Sequence, residues 1–412
     1  MSLKEQCMGL RNAASILEMM DTHSKNDALD KVYQSLLEHR GTILKENQRD
    51  VEEAQRSQMK DSLVDRLRLT QGRFQDMLDG IRTVMDLKDP IWQSNRVWTL
   101  ENGLTISRMT IPLGVIGIIY ESRPNVTVDA FALALKSGNG ILLRGSSSAI
   151  HSNRALVVAI REGLRRSAIP EGVVELVEDT DYDVVKEMLT MNEYIDLIIP
   201  RGGKGLIDFV VENATVPTVE TGVGNCHIFV DESADQEKAL SIIENAKLQR
   251  PGVCNAVESV LVHQGIAREF LPKLNRLFGD RVELRGCAQT QGIIPVHAAT
   301  QEDWAEEYLD NILAIKVVED IHDAMDHIKR YGTKHSEAII TENYSNAQLF
   351  QRRVDAAAVY VNASTRFTDG GQYGFGAEMG ISTQKMLPRG PVGLEELVTI
   401  KYTILGNGQI RE

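Results

Sequence analysis

Apolar residues recur at helical spacing through the first part of the chain. Ala13, Ala14, Ile16, Leu17 and Met20 mark one face, Val32, Leu36, Leu37, Ile43 and Leu44 carry the pattern on, and a third stretch runs from about Leu63 to Leu87. This spacing predicts packed amphipathic helices and holds no chemistry of its own. The pattern changes at Val97. Val97–Leu100 and Leu104–Met109 are β-prone runs on either side of Glu101-Asn102-Gly103, and strand, Asn-Gly turn, strand predicts a hairpin. Leu397–Leu405 mixes β-branched and polar residues and is expected to join the same sheet as an arm for pairing between copies.

From residue 113 short apolar runs alternate with helical ones. Gly114–Tyr120, Gly140–Leu143, Val173–Val177 and Ile195–Ile199 read as strands with few polar interruptions, which predicts a parallel sheet with helices between its strands. Each run ends in a polar break: Glu121-Ser122-Arg123-Pro124-Asn125, Arg144-Gly145-Ser146-Ser147-Ser148, and Pro200-Arg201-Gly202-Gly203-Lys204-Gly205. A second α/β unit is expected from Cys226, with strands at Ile228–Val230, Val257–Val262 and Ala314–Val318 and helices at Ala234–Lys247 and Ile321–Tyr331. Asp369–Gly376 is glycine-rich and predicts a surface loop, one able to move over a site.

Bulk properties narrow the function. A chain of 412 residues exceeds one ordinary core. A net charge of −13 argues against nucleic acid as a main partner, since phosphate backbones call for clustered Lys and Arg. The longest apolar runs, such as Ile111–Tyr120, are too short for a bilayer, and the first residues lack the apolar core of a signal peptide. Four cysteines, Cys7, Cys226, Cys254 and Cys287, form no Cys-x-x-Cys pair and no zinc spacing. Free thiols, no metal and a cytoplasmic location are the expectation.

The chemistry concentrates at Cys254. It stands in Pro251-Gly252-Val253-Cys254-Asn255-Ala256, a small, kinked, polar setting in which a thiol is open to a substrate and exposed backbone N–H groups lower its pKa or hold an oxyanion. An inert loop thiol is the plain alternative. Cys226, beside His227, is a weaker candidate, because adjacent strand residues point to opposite faces. The strand-end loops are the second signal, since ligands of open α/β sheets collect beyond the carboxyl ends of the strands and helix starts favour anions. Arg144, Ser146 and Ser147 suit a cofactor phosphate, and Gly202 and Gly203 permit close approach of a ring or pyrophosphate; helix capping is the competing reading of each. No GxGxxG or GxxxxGK[ST] pattern is present at these loops. Asn125 is placed to donate to a substrate oxygen, Glu220 to act as a base or hold a carboxamide, and Glu307 is ambiguous by itself.

In order along the chain these stretches, Ile119–Thr127, Leu143–Ser147, Pro200–Gly203, Gly224-Asn225-Cys226-His227, Gln249–Ala256, Thr368–Gly371 and Phe375–Glu378, resemble the aldehyde dehydrogenase superfamily. The resemblance is strongest to the branch that reduces L-glutamyl 5-phosphate to L-glutamate 5-semialdehyde, and it spans nearly the whole chain. It implies a cofactor-binding α/β domain (1–96 and 113–225), a catalytic α/β domain (226–394) and a small β oligomerisation arm (97–112 and 395–412). It further implies NADPH as hydride donor, NADP+ as its product, phosphate release, and the second step of proline biosynthesis.

Residue by residue, the resemblance puts Cys254 at the nucleophile, Asn125 at the oxyanion amide and Glu307 at the glutamate that holds the nicotinamide ribose. Arg144 replaces the usual strand-end lysine. Glu220 falls at the general base of aldehyde-oxidising relatives, a role that a phosphate-releasing reaction does not require. Arg123, Arg201, Arg250 and Arg366 are candidate groups for an anionic substrate. A homo-oligomer and coupling to glutamate 5-kinase are the expected partnerships. The competing enzymatic reading is NAD(P)-dependent hydrolytic oxidation of a free aldehyde with Glu220 activating water, and a binding or assembly protein is the third class.

Overall fold

The computed structural model describes residues 2–411. The chain divides into two compact units: one runs to Glu220 and takes back Gly374–Gly380 and the stretch from Val392 onward, and the other holds Thr221–Tyr373 and Ile381–Pro391. The division falls at Glu220/Thr221 rather than at 225/226. The three-stranded arm lies within the first unit, and so do two segments expected in the catalytic domain.

The N-terminal apolar stripes form α1 (Leu3–Leu17), α2 (Thr22–Glu38), α3 (Arg40–Arg56), α4 (Asp61–Leu67) and α5 (Gln71–Asp86). Their starts are written in the sequence. Ser2 and Glu5 make a reciprocal capping box, and Asp21 and Thr70 accept from the free N–H groups of Ser24 and Arg73. The continuous pattern from Val32 to Leu44 is broken at His39, whose backbone leaves the helical region. Thr70, capping α5, likewise splits the expected third helix.

The hairpin forms as β1 (Ser94–Thr99) and β2 (Thr105–Pro112). The first unit then alternates β3 (Val115–Tyr120), α6 (Asn125–Lys136), β4 (Gly140–Gly145), α7 (Ile150–Arg165), β5 (Val174–Leu176), α8 (Tyr182–Leu189), β6 (Leu197–Arg201) and α9 (Lys204–Asn213). These strands make a parallel sheet in the order β5-β4-β3-β6. β3 and β4 are buried throughout, as their unbroken apolar text requires. β6 runs on through Pro200 and Arg201; proline, without an N–H to donate, is tolerated because β6 is an edge strand.

The second unit contains β7 (Cys226–Val230), α10 (Gln236–Leu248), β8 (Val257–His263), α11 (Gln264–Phe278), β9 (Glu283–Gly286), α12 (Ala288–Gln291), β10 (His297–Ala298), β11 (Ile312–Val318), α13 (Ile321–Tyr331), β12 (Ser336–Ile340), α14 (Tyr344–Arg353) and β13 (Ala358–Val361). Seven parallel strands lie in the order β10-β9-β11-β8-β7-β12-β13, over an apolar cluster that includes Ile228, Val260, Phe270, Leu274 and Ile315. The short pair β14 (Ile381–Ser382) and β15 (Gly390–Pro391) completes this unit. Finally β16 (Val398–Leu405) pairs antiparallel with β2 along its full length, as the C-terminal pattern leads one to expect.

Candidate active site

In the first unit the three polar breaks gather at the carboxyl edge of the parallel sheet. Arg123 and Asn125 follow β3, Arg144, Ser146 and Ser147 end β4, and Gly202 and Gly203 lie between β6 and α9. Asn125 opens α6, and its Nδ2 donates to Asp129 Oδ2 at 2.9 Å, one turn on. Burial pushes the Asp129 carboxyl up to about 6, with Asn125 and the nearby Arg201 pulling it back. Arg144 is largely buried, and its Nη2 donates to the Thr180 carbonyl at 2.6 Å, while its Nε is buried with no hydrogen-bond partner. Ser146 Oγ lies 2.7 Å from Ser148 Oγ and accepts from the Ser122 N–H at 3.3 Å; Ser122 Oγ and Ser148 Oγ are 3.0 Å apart. Three hydroxyls thus close a small polar ring between the first two loops. A Cβ on Gly202 would crowd the ends of the Glu121 and Leu206 side chains, which would have to shift to admit it. The next N–H, of Gly203 at the start of α9, donates to Glu121 Oε2 at 2.9 Å.

In the second unit Cys254 lies in the loop between α10 and β8. It is partly exposed. The loop is clamped on several sides. Asn255 Nδ2 donates to the Thr368 carbonyl at 2.8 Å and Thr365 Oγ1 to the Asn255 carbonyl at 2.7 Å. Arg366 Nε donates to Gln249 Oε1 at 2.7 Å, and its Nη1 meets Asn255 Oδ1. The Arg366 guanidinium therefore binds both ends of the nucleophile loop. Burial lowers the Arg366 pKa, and repulsion from Arg250, exposed on the same loop, lowers it further.

Behind Cys254 stands the segment leading into β7. A Cβ on Gly224 would overlap the Cys254 carbonyl, so that backbone approach requires glycine. The Gly224 N–H donates to Glu307 Oε1 at 2.7 Å. Cys226 Sγ donates to the same Cys254 carbonyl at 3.2 Å. Cys226 is fully buried, and burial raises its pKa well above that of a free thiol. It is a protonated donor behind the loop rather than a nucleophile. Cys7 is also buried and pushed up to about 11, first by burial and then by Glu187 and Glu175. His227 turns away from Cys226 to Glu337, 3.0 Å from its Nδ1, as the alternation of strand faces dictates.

The profile of the aldehyde dehydrogenase family matches residues 11–311. The gamma-glutamyl phosphate reductase of Alkaliphilus metalliredigens is 65% identical over 411 residues, covering 100% of this chain and 99% of its own. The chain belongs to the gamma-glutamyl phosphate reductases of the aldehyde dehydrogenase family. The crystal structure of the Thermotoga maritima reductase superposes with a TM-score of 0.97 at 56% identity, covering 100% of both chains. An engineered glycolyl-CoA reductase with bound NADP+ shares the fold at 17% identity and a TM-score of 0.71, with 98% of this chain and 96% of that one covered.

This reductase is thus an oxidoreductase with an aldehyde dehydrogenase-like α/β fold, and the hydrolytic and non-enzymatic readings give way to reduction of glutamyl phosphate. Glu220 is partly buried at the end of the first unit's main segment. Among the described residues no helix is long and apolar enough to cross a membrane, and no cluster of His, Cys, Asp and Glu is arranged to hold a metal. Sequence reasoning missed Glu121 on the α9 start, Asp129 on Asn125, and Cys226 as a donor to the Cys254 carbonyl. Asp129 alone had a local signal, since it follows Asn125 by four residues in a helix.

Proposed function

We propose that the reductase converts L-glutamyl 5-phosphate to L-glutamate 5-semialdehyde and phosphate through a thioester on Cys254, with NADPH, as the second step of proline biosynthesis. The carrying observation is the setting of Cys254. Of the four cysteines, Cys7 and Cys226 are buried and Cys254 and Cys287 are partly exposed; Cys254 is the one in a loop clamped at both ends with its own carbonyl held from behind.

Cys254 thiolate attacks the acyl phosphate carbon. Its backbone N–H, with the Asn125 amide, steadies the oxyanion, and phosphate leaves as a thioester forms. NADPH, when bound, supplies the hydride that takes the thioester to the aldehyde and returns the thiol. The residues of the first unit fit such a cofactor. Arg144 Nε is a buried N–H without a hydrogen-bond partner. Arg144, Ser146, Ser147, Gly202 and Gly203 would hold its phosphates. Glu307, already fixed to the Gly224 N–H, would hold a ribose hydroxyl. Arg123, Arg201, Arg250 and Arg366 are proposed to attract the anionic substrate.

The arm offers a second copy an edge to pair with. Val97, Tyr402, Ile404 and Leu405 are all more than half exposed on its strands. A cytoplasmic homo-oligomer, fed by glutamate 5-kinase with its labile product, completes the reading. The decisive assay follows NADP+ reduction with glutamate semialdehyde. Strict dependence on phosphate supports the proposal, and phosphate-independent oxidation at the same rate overturns it.

A further inference from the structure

Arg389 carries an unfinished hydrogen-bonding fork. Its Nη1 donates to Asp355 Oδ1 at 2.8 Å, and Lys385 Nζ shares that oxygen at 2.8 Å. Its Nε and Nη2 are sealed from solvent with no hydrogen-bond partner. Those two nitrogens form one edge of the guanidinium, the edge that matches two oxygens of a carboxylate or phosphate. A buried charged donor left unpaired is costly, and here two point the same way. One carboxylate against two cations also leaves the group with net positive charge. Arg366, by contrast, is engaged at Nε and Nη1 by the nucleophile loop.

The location fits a substrate group. Arg389 precedes Gly390, which pairs with Ser382, and Ser382 bridges Thr221. Thr383 lies against Gly222, where a Cβ would overlap its side chain, and the Gly222 N–H donates to the Ile381 carbonyl at 3.2 Å. Two residues on, Gly224 abuts the Cys254 carbonyl. The turn bearing Lys385 and Arg389 therefore hangs on the same short segment that backs the nucleophile. We propose that Arg389, with Lys385 beside it, is the subsite for a substrate oxyanion, either the α-carboxylate of the glutamyl chain or the phosphate it exchanges. This rests on the reaction proposed above.

The test is kinetic and direct. In the oxidative direction, Arg389→Gln is expected to raise the KM for glutamate semialdehyde or for phosphate roughly ten- to hundredfold, the loss of a charge-assisted pair, while the KM for NADP+ stays put. A rise for the semialdehyde, with turnover of propanal unaffected, assigns the α-carboxylate. A rise for phosphate with both aldehydes assigns the phosphate. Arg389→Lys, which keeps the charge and loses the fork, recovers only part of the effect, and Lys385→Gln gives a smaller shift in the same constant. Unchanged KM values for both in a folded Arg389→Gln protein overturn the proposal. Calorimetric binding of inorganic phosphate and of L-glutamate needs no turnover. If the wild type fails to show phosphate-dependent oxidation, the reaction reading falls, while weaker binding of either probe to Arg389→Gln still upholds the anion site and equal binding removes it.

Discussion

Lys247 and Glu258 form an ion pair of 2.6 Å with both side chains sealed from solvent. Lys247 ends α10 but for one residue and Glu258 is the second residue of β8, so the pair closes the base of the loop that carries Cys254. Burial lowers the Lys247 pKa and pushes Glu258 up to about 7, with Lys247 pulling it back. Glu258 Oε1 also accepts from the Leu309 N–H at 3.2 Å, two residues beyond Glu307.

Removing one member strands a buried charge. Glu258→Gln is expected to cost about 3–5 kcal/mol in chemical denaturation. Lys247→Met with Glu258→Leu should recover most of that stability, because two desolvation costs vanish together. A Glu258→Gln protein as stable as wild type would show that the pair contributes nothing to the fold.

Gly224 makes a sharper prediction. A Cβ there cannot coexist with the Cys254 carbonyl where it stands, whereas Gly205, with nothing within 4 Å of its added Cβ, has room. Gly224→Ala is expected to lower kcat by orders of magnitude, with the Gly205→Ala protein near normal. Comparable turnover in the two variants, measured side by side, would mean that the backing of the nucleophile loop does not matter.

Asp129 predicts a pH dependence of stability. Its pKa rises from 3.8 unfolded to about 6 folded, chiefly by burial. The folded state therefore holds this proton more tightly. The favourable contribution is complete below about pH 4, is lost as pH climbs through about 6, and is flat above. Asp129→Asn removes the term. Urea denaturation across this range should show wild type losing about 1–3 kcal/mol relative to that variant. A pH-independent difference would contradict the raised pKa.

Much of the fold was legible because buried parallel strands write themselves as apolar runs. β3, β4, β8 and β11 fall where those runs stand, and α13 occupies its expected span, Ile321–Tyr331. The hairpin and its C-terminal partner strand follow from turn chemistry and alternation. The short strands β9, β10, β12 and β13 carry too little pattern to be seen, and α8 and α11 were passed over between clearer elements. Strand order within the seven-stranded sheet arises from tertiary pairing and leaves no local trace.

At the site, the nucleophile and the strand-end loops were readable as local text. Their supports were not. Cys226 reaches the Cys254 carbonyl from 28 residues away and Arg366 reaches Asn255 from 111. Glu121 finds Gly203 from 82, and Arg389 finds Asp355 from 34. Contacts across such separations arise from the fold and leave no local trace in the sequence.

The central claim is covalent chemistry at one sulfur. Rapid mixing of the enzyme with glutamate semialdehyde and NADP+, without phosphate, followed by intact and peptide mass spectrometry, tests it most directly. The account predicts one NADPH formed per site and a glutamyl adduct on the Cys254 peptide that phosphate discharges, with neither in Cys254→Ala. An equal burst from Cys254→Ala, or an adduct on another residue, would contradict it.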